Sequence, residues 1–374
     1  MNGRSDFWDF RVYYDAANEL LLGQTPYGKS FGVSSGFYKY SPVTLLFFTP
    51  FAILPYTTAS ILFYILIVFV FIKMLLSVHQ FLSSHILSKS KKEYLPFLIT
   101  SIIVSAHIIR ELHLGNINLM LLLLFFVAFI NIEKKRDFLA GVLIAIGLFF
   151  KPHFIVLLPL LVLKAHWKSL IGVIIISGVL VLLPAVFYGF EWNNVLINDW
   201  FNTMTSHNNQ LMTSPNTVYG LVNNHILDLF GLPPNKSIIV IVLSIVATGV
   251  FGMVMFHKYK IENINKSLAN YLEYFVLIAL IPNLTHTDTE HFLWSLPIIM
   301  LLVYLIISMK NIRKRIQFVV FLLVIAFPWY LNSPDLLPNN IIKSLNQGGF
   351  LGLSNLIIIG ISLFLFYMQR KKLY

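Results

Sequence analysis

The sequence predicts an all-α, polytopic bundle of transmembrane helices, with an external amphipathic segment at its amino end and a broken helical hairpin in its middle. Three observations carry that prediction. Hydrophobic residues make up 57% of the 374-residue chain and charged residues 11%, with a mean hydropathy of +0.77, far outside the range of a soluble globular domain. Apolar runs recur along nearly the whole length between short polar breaks, each run on the scale of the about 20 residues that a bilayer crossing needs. The basic residues behind the net charge of +11 fall in small clusters beside those runs, a topological pattern that gives no reason to expect nucleic acid as a partner. No long Pro-, Gly- or Ser-rich linker divides the chain, so one integral membrane domain over residues 1–374 is expected. The absence of cysteine excludes disulfides, thiolate metal sites and cysteine nucleophiles.

The basic clusters are Lys89, Lys91 and Lys92; Lys134, Lys135 and Arg136; Lys164 and Lys168; Lys258, Lys260 and Lys266; Lys310, Arg313, Lys314 and Arg315; and Arg370, Lys371 and Lys372. By the positive-inside rule they mark the cytoplasmic face. The run from Thr57 to Leu82 leads into the first cluster, so residues 1–41 are external. An outward-facing amino terminus with no apolar segment before it is translocated by the span that follows, or by a helix upstream of the sequence as given. Leu95–Ile109 and Asn118–Asn131 go out and back, which puts the joint at 110–117 outside. Phe138 to Leu163 holds two apolar runs broken at Lys151-Pro152 and flanked by basic clusters, hence a bent hairpin with Lys151 at its outer apex. Trp167–Phe187 leaves again and opens a polar external stretch at 188–236. Ser237–Phe256 returns, Tyr271–Pro282 leaves, 284–291 turns outside, Phe292–Met309 returns and Ile316–Tyr330 leaves. Residues 332–349 form a third external loop, and Phe350–Tyr367 ends inside.

Four acids, Asp6, Asp9, Asp15 and Glu19, stand among aromatics in the leader. Tyr13, Ala16, Ala17, Leu20 and Leu21 recur at helical spacing up to Gly23, which suggests an amphipathic helix lying on the membrane surface. Asp6 or Asp9 is then either a helix cap or a group that carries chemistry. Lys151 departs further from expectation, because an ionisable group inside a membrane segment costs on the order of 3 kcal/mol and normally faces a polar cavity. The bland reading is a lysine snorkelling to the interface. A cation in a cavity reached from outside suits an anionic headgroup. His286, Asp288, Glu290 and His291 are metal ligands by type, so a divalent metal is open, but their spacing matches no zinc signature and a hydrogen-bonding cluster or a solvated loop competes. Arg110, Glu111 and His113 read as an ion-paired turn, with Gly115 and Asn116 as turn residues.

The order of several short motifs resembles a known family. They are Asp9-Phe10-Arg11-Val12-Tyr13-Tyr14 with Ala16-Ala17, Leu22-Gly23-Gln24-Thr25-Pro26-Tyr27, Phe37-Tyr38-Lys39-Tyr40-Ser41-Pro42, then Pro50 and Leu54-Pro55. Farther along come Gly115-Asn116-Ile117-Asn118, the run from Ala140-Gly141 to Lys151-Pro152, Ser214-Pro215-Asn216-Thr217-Val218-Tyr219-Gly220-Leu221 and His291-Phe292-Leu293-Trp294. Together they resemble glycosyltransferase family 87, polyprenyl-phosphate-sugar-dependent transferases of the GT-C fold. The resemblance implies an integral enzyme of a bacterial-type inner membrane that transfers a hexose, mannose by family default, from a polyprenyl-phosphate-linked donor. The acceptor is a hydroxyl of a lipid or glycan on the outer face, and the transfer inverts the anomeric centre. It implies Asp9 as general base; the chemistry of a departing phosphate makes Lys151, Arg110 and His291 candidates for the donor phosphate, and Tyr13, Tyr40, Asn116, Asn118, Asn216 and His286 are candidates for the substrates. The family pattern has a transmembrane helix before the Asp9 motif, and a second histidine is common where this chain has Glu290.

That chemistry agrees with the residues themselves. An inverting transfer needs a carboxylate to take the acceptor proton, and a departing phosphate needs positive charge more than a general acid. Trp192, Trp200 and Trp294 either border the sugar or are ordinary interfacial aromatics. The rival from another class is a transporter or lipid flippase of envelope precursors, since many spans, a broken helix and an intramembrane lysine suit that too. A non-catalytic envelope scaffold is the third reading. Against the transporter, no internal repeat is visible and the acids collect in external loops.

Overall fold

The computed structural model of the chain describes residues 7–31, 36–86, 94–207, 214–235, 237–259, 265–285, 288–332 and 336–369. Its regular elements, among the described residues, are all helical. In chain order they are α1 (Trp8–Leu21), α2 (Pro42–Ala52), α3 (Tyr56–Ile86), α4 (Leu95–Ile103), α5 (Ser105–Leu114), α6 (Asn118–Glu133), α7 (Asp137–Phe150), α8 (Leu157–Leu163) and α9 (Trp167–Tyr188). There follow α10 (Phe190–His207), α11 (Val218–Leu221), α12 (Ser237–Tyr259), α13 (Lys266–Leu284), α14 (Leu296–Ile307), α15 (Ile312–Ile325), α16 (Phe327–Tyr330), α17 (Asn339–Gln347) and α18 (Phe350–Gln369). Six stretches among the described residues are long and apolar enough to cross a membrane: α3, α9, α12, α13, the continuous Thr289–Ile307 and α18. The pair α4 and α5, bent by 60°, makes a seventh if taken as one span. This is an all-α integral membrane protein.

The chain falls into two compact units, Met1–Met74 with Ile109–Gln210, and Leu75–Ile108 with Leu211–Tyr374. In the first, α1 runs from Phe7 to a left-handed glycine, Gly23 (φ 71), which stops it. Its apolar face does not lie on lipid as the sequence suggested. Phe10, Tyr13, Ala16, Ala17 and Leu20 are buried against α2 and Phe63, with the Phe10 and Phe63 rings stacked 4.3 Å apart, while Leu21 is exposed. The greasy helix next door offers the same apolar surface that a bilayer would, with better packing.

The second half of this unit is organised by α7, which packs between α6 and α9. A Cβ added to Gly141 would lie 2.1 Å from the Ser169 carbonyl oxygen, and one on Gly172 2.7 Å from that of Phe138, so the α7 and α9 backbones touch. The helix ends where the sequence required, because Pro152 has no N–H to donate and keeps the residue before it out of the helical region. Lys151 is accordingly extended (φ −135°, ψ 102°), and a 3-10 turn over Pro152–Val156 leads into α8.

In the second unit α14 is buried on every side by α4, α13 and α18, whereas α12, equally apolar, is exposed along almost its whole length and offers that face to lipid. Three segments expected as loops are helical instead. Residues 110–114 are the last turn of α5, 190–207 form α10, and 339–347 form α17, whose side chains are all outside the core. Polar composition hid them, since a polar helix at a membrane surface carries no apolar run to announce it. Of the expected turn at 284–291, the last part is already regular, with Thr289–Ser295 a 3-10 lead into α14. Asp6, His286, Lys89, Lys91, Lys92, Lys260, Arg370, Lys371 and Lys372 lie outside the described residues.

Candidate active site

Of the leader's acids within the described residues, two are spoken for on the surface. Asp15 accepts from Arg11 Nε at 2.7 Å, one helical turn away, and Glu19 takes the Lys29 ammonium. Asp9 faces inward. It does not cap α1, whose first turn has no side-chain cap; its Oδ2 accepts from Asn116 Nδ2 at 2.5 Å, bridging 107 residues of sequence.

The contact exists because of Gly115. This residue ends α5 in the left-handed region (φ 67), and its N–H and that of Asn116 both return to the Glu111 carbonyl, at 2.9 and 3.2 Å. A Cβ at Gly115 would sit 2.7 Å from Phe10 Cβ. Glycine therefore supplies both the backbone conformation and the space that lets α1 press its first turn onto the turn holding Asn116. The Asn116 amide is then fixed from both ends, since its Oδ1 accepts from Ile117 N at 2.7 Å while its Nδ2 holds Asp9.

Behind Asp9 lies a buried ionic relay. Glu111, with no exposed surface, accepts from Asn118 Nδ2 at 2.8 Å through one oxygen and from Leu119 N at 3.0 Å through the other. Asn118, also fully buried, accepts through Oδ1 from the Lys151 ammonium at 2.6 Å. The amide orientation is forced, because a carboxylate only accepts and an ammonium only donates. Lys151 is 6% exposed, so it does not snorkel to a surface within this unit. Its Nζ lies 6.0 Å from the Tyr40 ring centroid, and the Tyr40 and Tyr13 hydroxyls share a hydrogen bond of 2.9 Å. Burial pushes both phenols well above their usual range, with the negative charge of Asp9 and Glu111 adding to it, so both stay protonated. The loop carrying Tyr40 is tied down by Tyr27 Oη to the Tyr40 carbonyl (2.8 Å), by Trp200 Nε1 to the Lys39 carbonyl (3.1 Å) and by Ser41 Oγ to the Phe149 carbonyl (2.7 Å).

Six of the residues singled out from the sequence thus meet in one network in the first unit: Asp9, Asn116, Asn118, Lys151, Tyr13 and Tyr40. Arg110 is on α5 with its side chain exposed. Asn216 and His291 belong to the second unit. Asn216 Oδ1 accepts from Gly352 N at 3.0 Å within a set of buried carboxamides, in which Asn283 Nδ2 donates to the Asn216 and Gly352 carbonyls and Asn355 Nδ2 donates to Asn283 Oδ1 at 2.7 Å. His291 is buried, donates from Nδ1 to the Asp288 carbonyl at 3.2 Å and stands edge-on to Trp294 at 4.8 Å. Trp294 is wholly buried in the core of that unit. No three His, Asp or Glu side chains among the described residues are grouped to hold a metal ion.

Glu111 is the member of this buried network that its sequence context did not single out. Taken as part of an ion-paired surface turn, it is a buried helical residue whose carboxylate lies at the start of α6. The signal was there in the glycine-asparagine turn at 115–116, which folds the end of α5 against the start of α6 and brings Glu111 and Asn118 together.

A helical membrane protein that gathers a half-buried aspartate, a buried glutamate and a buried lysine among carboxamides has the kind of charge cluster that marks a functional site. Comparison of the sequence names the class more closely: a model of glycosyltransferase family 87 matches residues 37–282, well over half of the chain, and the protein belongs to that family. It is a glycosyltransferase, taking a sugar from a donor and passing it to an acceptor, and the transporter reading gives way. The matched range contains Asn116, Asn118, Lys151 and Asn216; α1 with Asp9 precedes it and His291 follows it. Neither curated proteins nor solved structures gave a match.

Proposed function

We infer that this glycosyltransferase moves a hexose from a polyprenyl-phosphate donor to a hydroxyl of a lipid or glycan acceptor at the outer face of an inner membrane, with inversion and with Asp9 as general base. Mannose is the family's default sugar. The observation that carries the reading is the hydrogen bond from Asn116 to Asp9, which fixes one carboxylate oxygen beside the buried network that ends in Lys151.

In the transfer, the acceptor hydroxyl attacks the anomeric carbon as the bond from that carbon to the phosphate oxygen breaks. Asp9 takes the hydroxyl proton, and the bond electrons leave with the polyprenyl phosphate. The leaving group carries its own negative charge, so it needs an electrostatic partner and not a proton. Lys151 is the group proposed for that role, since a cation in a water-poor setting is worth far more to a departing phosphate than one at a surface. Arg110 and His291 are further candidates for the donor phosphate, and Asn216 and His286 for the substrates. The protonated Tyr13 and Tyr40 offer neutral hydrogen-bond groups to sugar hydroxyls.

Asp9→Asn keeps the bond partner for Asn116 but removes the base, and transfer from a radiolabelled polyprenyl-phosphate mannose in membranes should fall by about 10²- to 10⁴-fold. Retained transfer would sink the assignment. Orientation is checked separately. The chain has no cysteine, so a single one at the exposed His113 should react with an impermeant maleimide in intact cells. Labelling only after permeabilisation reverses the assigned face.

A further inference from the structure

Helices α12 and α18 both pack on α13, and between them lies a groove of about 770 Å³. Val276 and Leu280 of α13 form its floor, while α12 from Val246 to Phe256 and α18 from Leu356 to Tyr367 form its walls. Among the described residues that line it, Tyr367 brings the one polar side chain. Glycines keep the groove wide. A Cβ on Gly249, Gly252 or Gly360 would meet nothing within 4 Å, so these three, unlike Gly141 and Gly172, serve no close helix contact. Glycine is the poorest helix former after proline, and what it returns here is open space.

The groove has a polar end. In the last turns of α12 and α18 the Phe256 and Tyr367 rings meet edge-on at 5.6 Å. Beside them His257 bonds Glu273 through Nδ1 and Tyr367 through Nε2, each at 2.7 Å, which ties the three helices together and closes that end. Lys258 follows in the last turn of α12 and Lys266 opens α13, both exposed. Lys266, Glu273, Val276 and Leu280 recur at helical spacing, so this lysine stands on the face of α13 that floors the groove. The sequence adds Lys260 after α12 and Arg370-Lys371-Lys372 after α18.

Length and charge together select an occupant. Along either wall the groove runs about 15 Å, half of the roughly 30 Å hydrocarbon core of a bilayer. A membrane-spanning helix of a second copy needs the whole core and would bring no charge to suit the lysines. A lipid from the leaflet on the lysine side has a tail of one leaflet's length, and an anionic headgroup is what basic residues at a membrane surface attract. We propose that this groove holds one acyl chain of an anionic phospholipid, with the headgroup taken by Lys258 and Lys266. The proposal is independent of how the sugar is transferred.

The purified full-length chain is titrated in detergent with dioleoyl phosphatidylglycerol or dioleoyl phosphatidylcholine, and bound lipid is counted by native mass spectrometry. One phosphatidylglycerol per chain should be retained roughly 25-fold more tightly than phosphatidylcholine, each lysine contributing about fivefold. Lys258→Gln/Lys266→Gln should then bind the two lipids alike. Gly249→Leu/Gly360→Leu fills the groove and should weaken phosphatidylglycerol by about tenfold or more, with the melting temperature in detergent near wild type. The lysine variants change an exposed surface and read the site even where the filled variant melts early. Equal binding of the two lipids by the wild-type chain overturns the proposal, as does a preference that survives loss of both lysines or undiminished retention by the folded, filled variant. A wild-type dimer that the leucines convert to monomer overturns it in favour of a second copy. Tighter capture of polyprenyl phosphate than of phosphatidylglycerol overturns it in favour of a donor-lipid site.

Discussion

Both units of the protein bury a chain of asparagines between helices, and the two chains are built for different ends. In the first unit each carboxamide touches a charge: Asn116 holds Asp9, and Asn118 lies between Glu111 and Lys151. In the second unit Asn216, Asn283 and Asn355 bond to one another and to backbone groups of Gly352, Asn216 and Ala279. A neutral carboxamide bonded in this way is a fastener, joining helices that have no hydrophobic reason to prefer each other in lipid. The same group between buried charges uses its hydrogen bonds to direct them. Desolvated charges are expensive, and a fold that only needed fastening would have no use for them.

The sharpest way to break this contrast is to remove one charge and one fastener and compare what fails. Lys151→Met deletes the cation proposed for the leaving phosphate, so transfer should drop by about 10²- to 10³-fold, the scale seen for losing one preorganised donor at a developing charge. Steady-state assays of purified, folded protein check this. Asn283→Leu should do the reverse. It takes the side-chain donor from the buried Asn216 and Gly352 carbonyls and leaves the Asn355 amide with its Ala279 bond alone, costing about 3 kcal/mol of stability, while kcat per folded molecule stays near wild type. Thermal melting in detergent beside active-site-normalised rates separates the two. A normal melting curve with lost activity would mean that the second network is functional as well.

Gly115→Ala tests the joint that makes the first network possible. Alanine must adopt φ 67 and also push against Phe10 Cβ at 2.7 Å, so the first turn of α1 has to move away from Asn116. A strained residue of this kind costs about 1–3 kcal/mol, and the activity loss should exceed what that stability change predicts, since the displaced turn carries Asp9. Equal losses in activity and folded fraction would make Gly115 a packing residue only.

The sequence made most of the fold legible, because an apolar run long enough to span a bilayer has few other destinations, and Lys151-Pro152 ends a helix wherever it occurs. It could not tell α14 from α12, since a helix greasy all round looks the same whether protein or lipid covers it. For the same reason the apolar face of α1 read as a membrane contact and proved to be the seat of α1 on α2. In the site, Asp9 and Lys151 stood out by contrast with their surroundings. Glu111 did not, because next to Arg110 and His113 it looked like one more charge on a surface turn. Its importance depends on which face of α5 is buried, and the short polar segment after a bend carries too little periodicity to show that.

The smallest expected effect concerns Tyr13 and Tyr40, the neutral members of the charged network. Burial raises both phenols well above their usual range, so in the folded protein they keep their protons at a pH where the unfolded chain has lost them. A group whose pKa is raised on folding contributes stability that is intact below the unfolded pKa, here about 10, and is lost as pH climbs towards the folded value. These two residues therefore leave stability unchanged between pH 7 and about 9 and erode it above about 10. Replacing both with Phe should flatten the alkaline part of the curve of melting temperature against pH without altering its neutral part. The carboxamide network has nothing that titrates, so Asn283→Leu should shift the whole curve down and keep its shape. If the Tyr variants also moved the curve only as a block, their hydroxyls would be fasteners like the asparagines of the second unit, and the division between the two networks would run inside the first one.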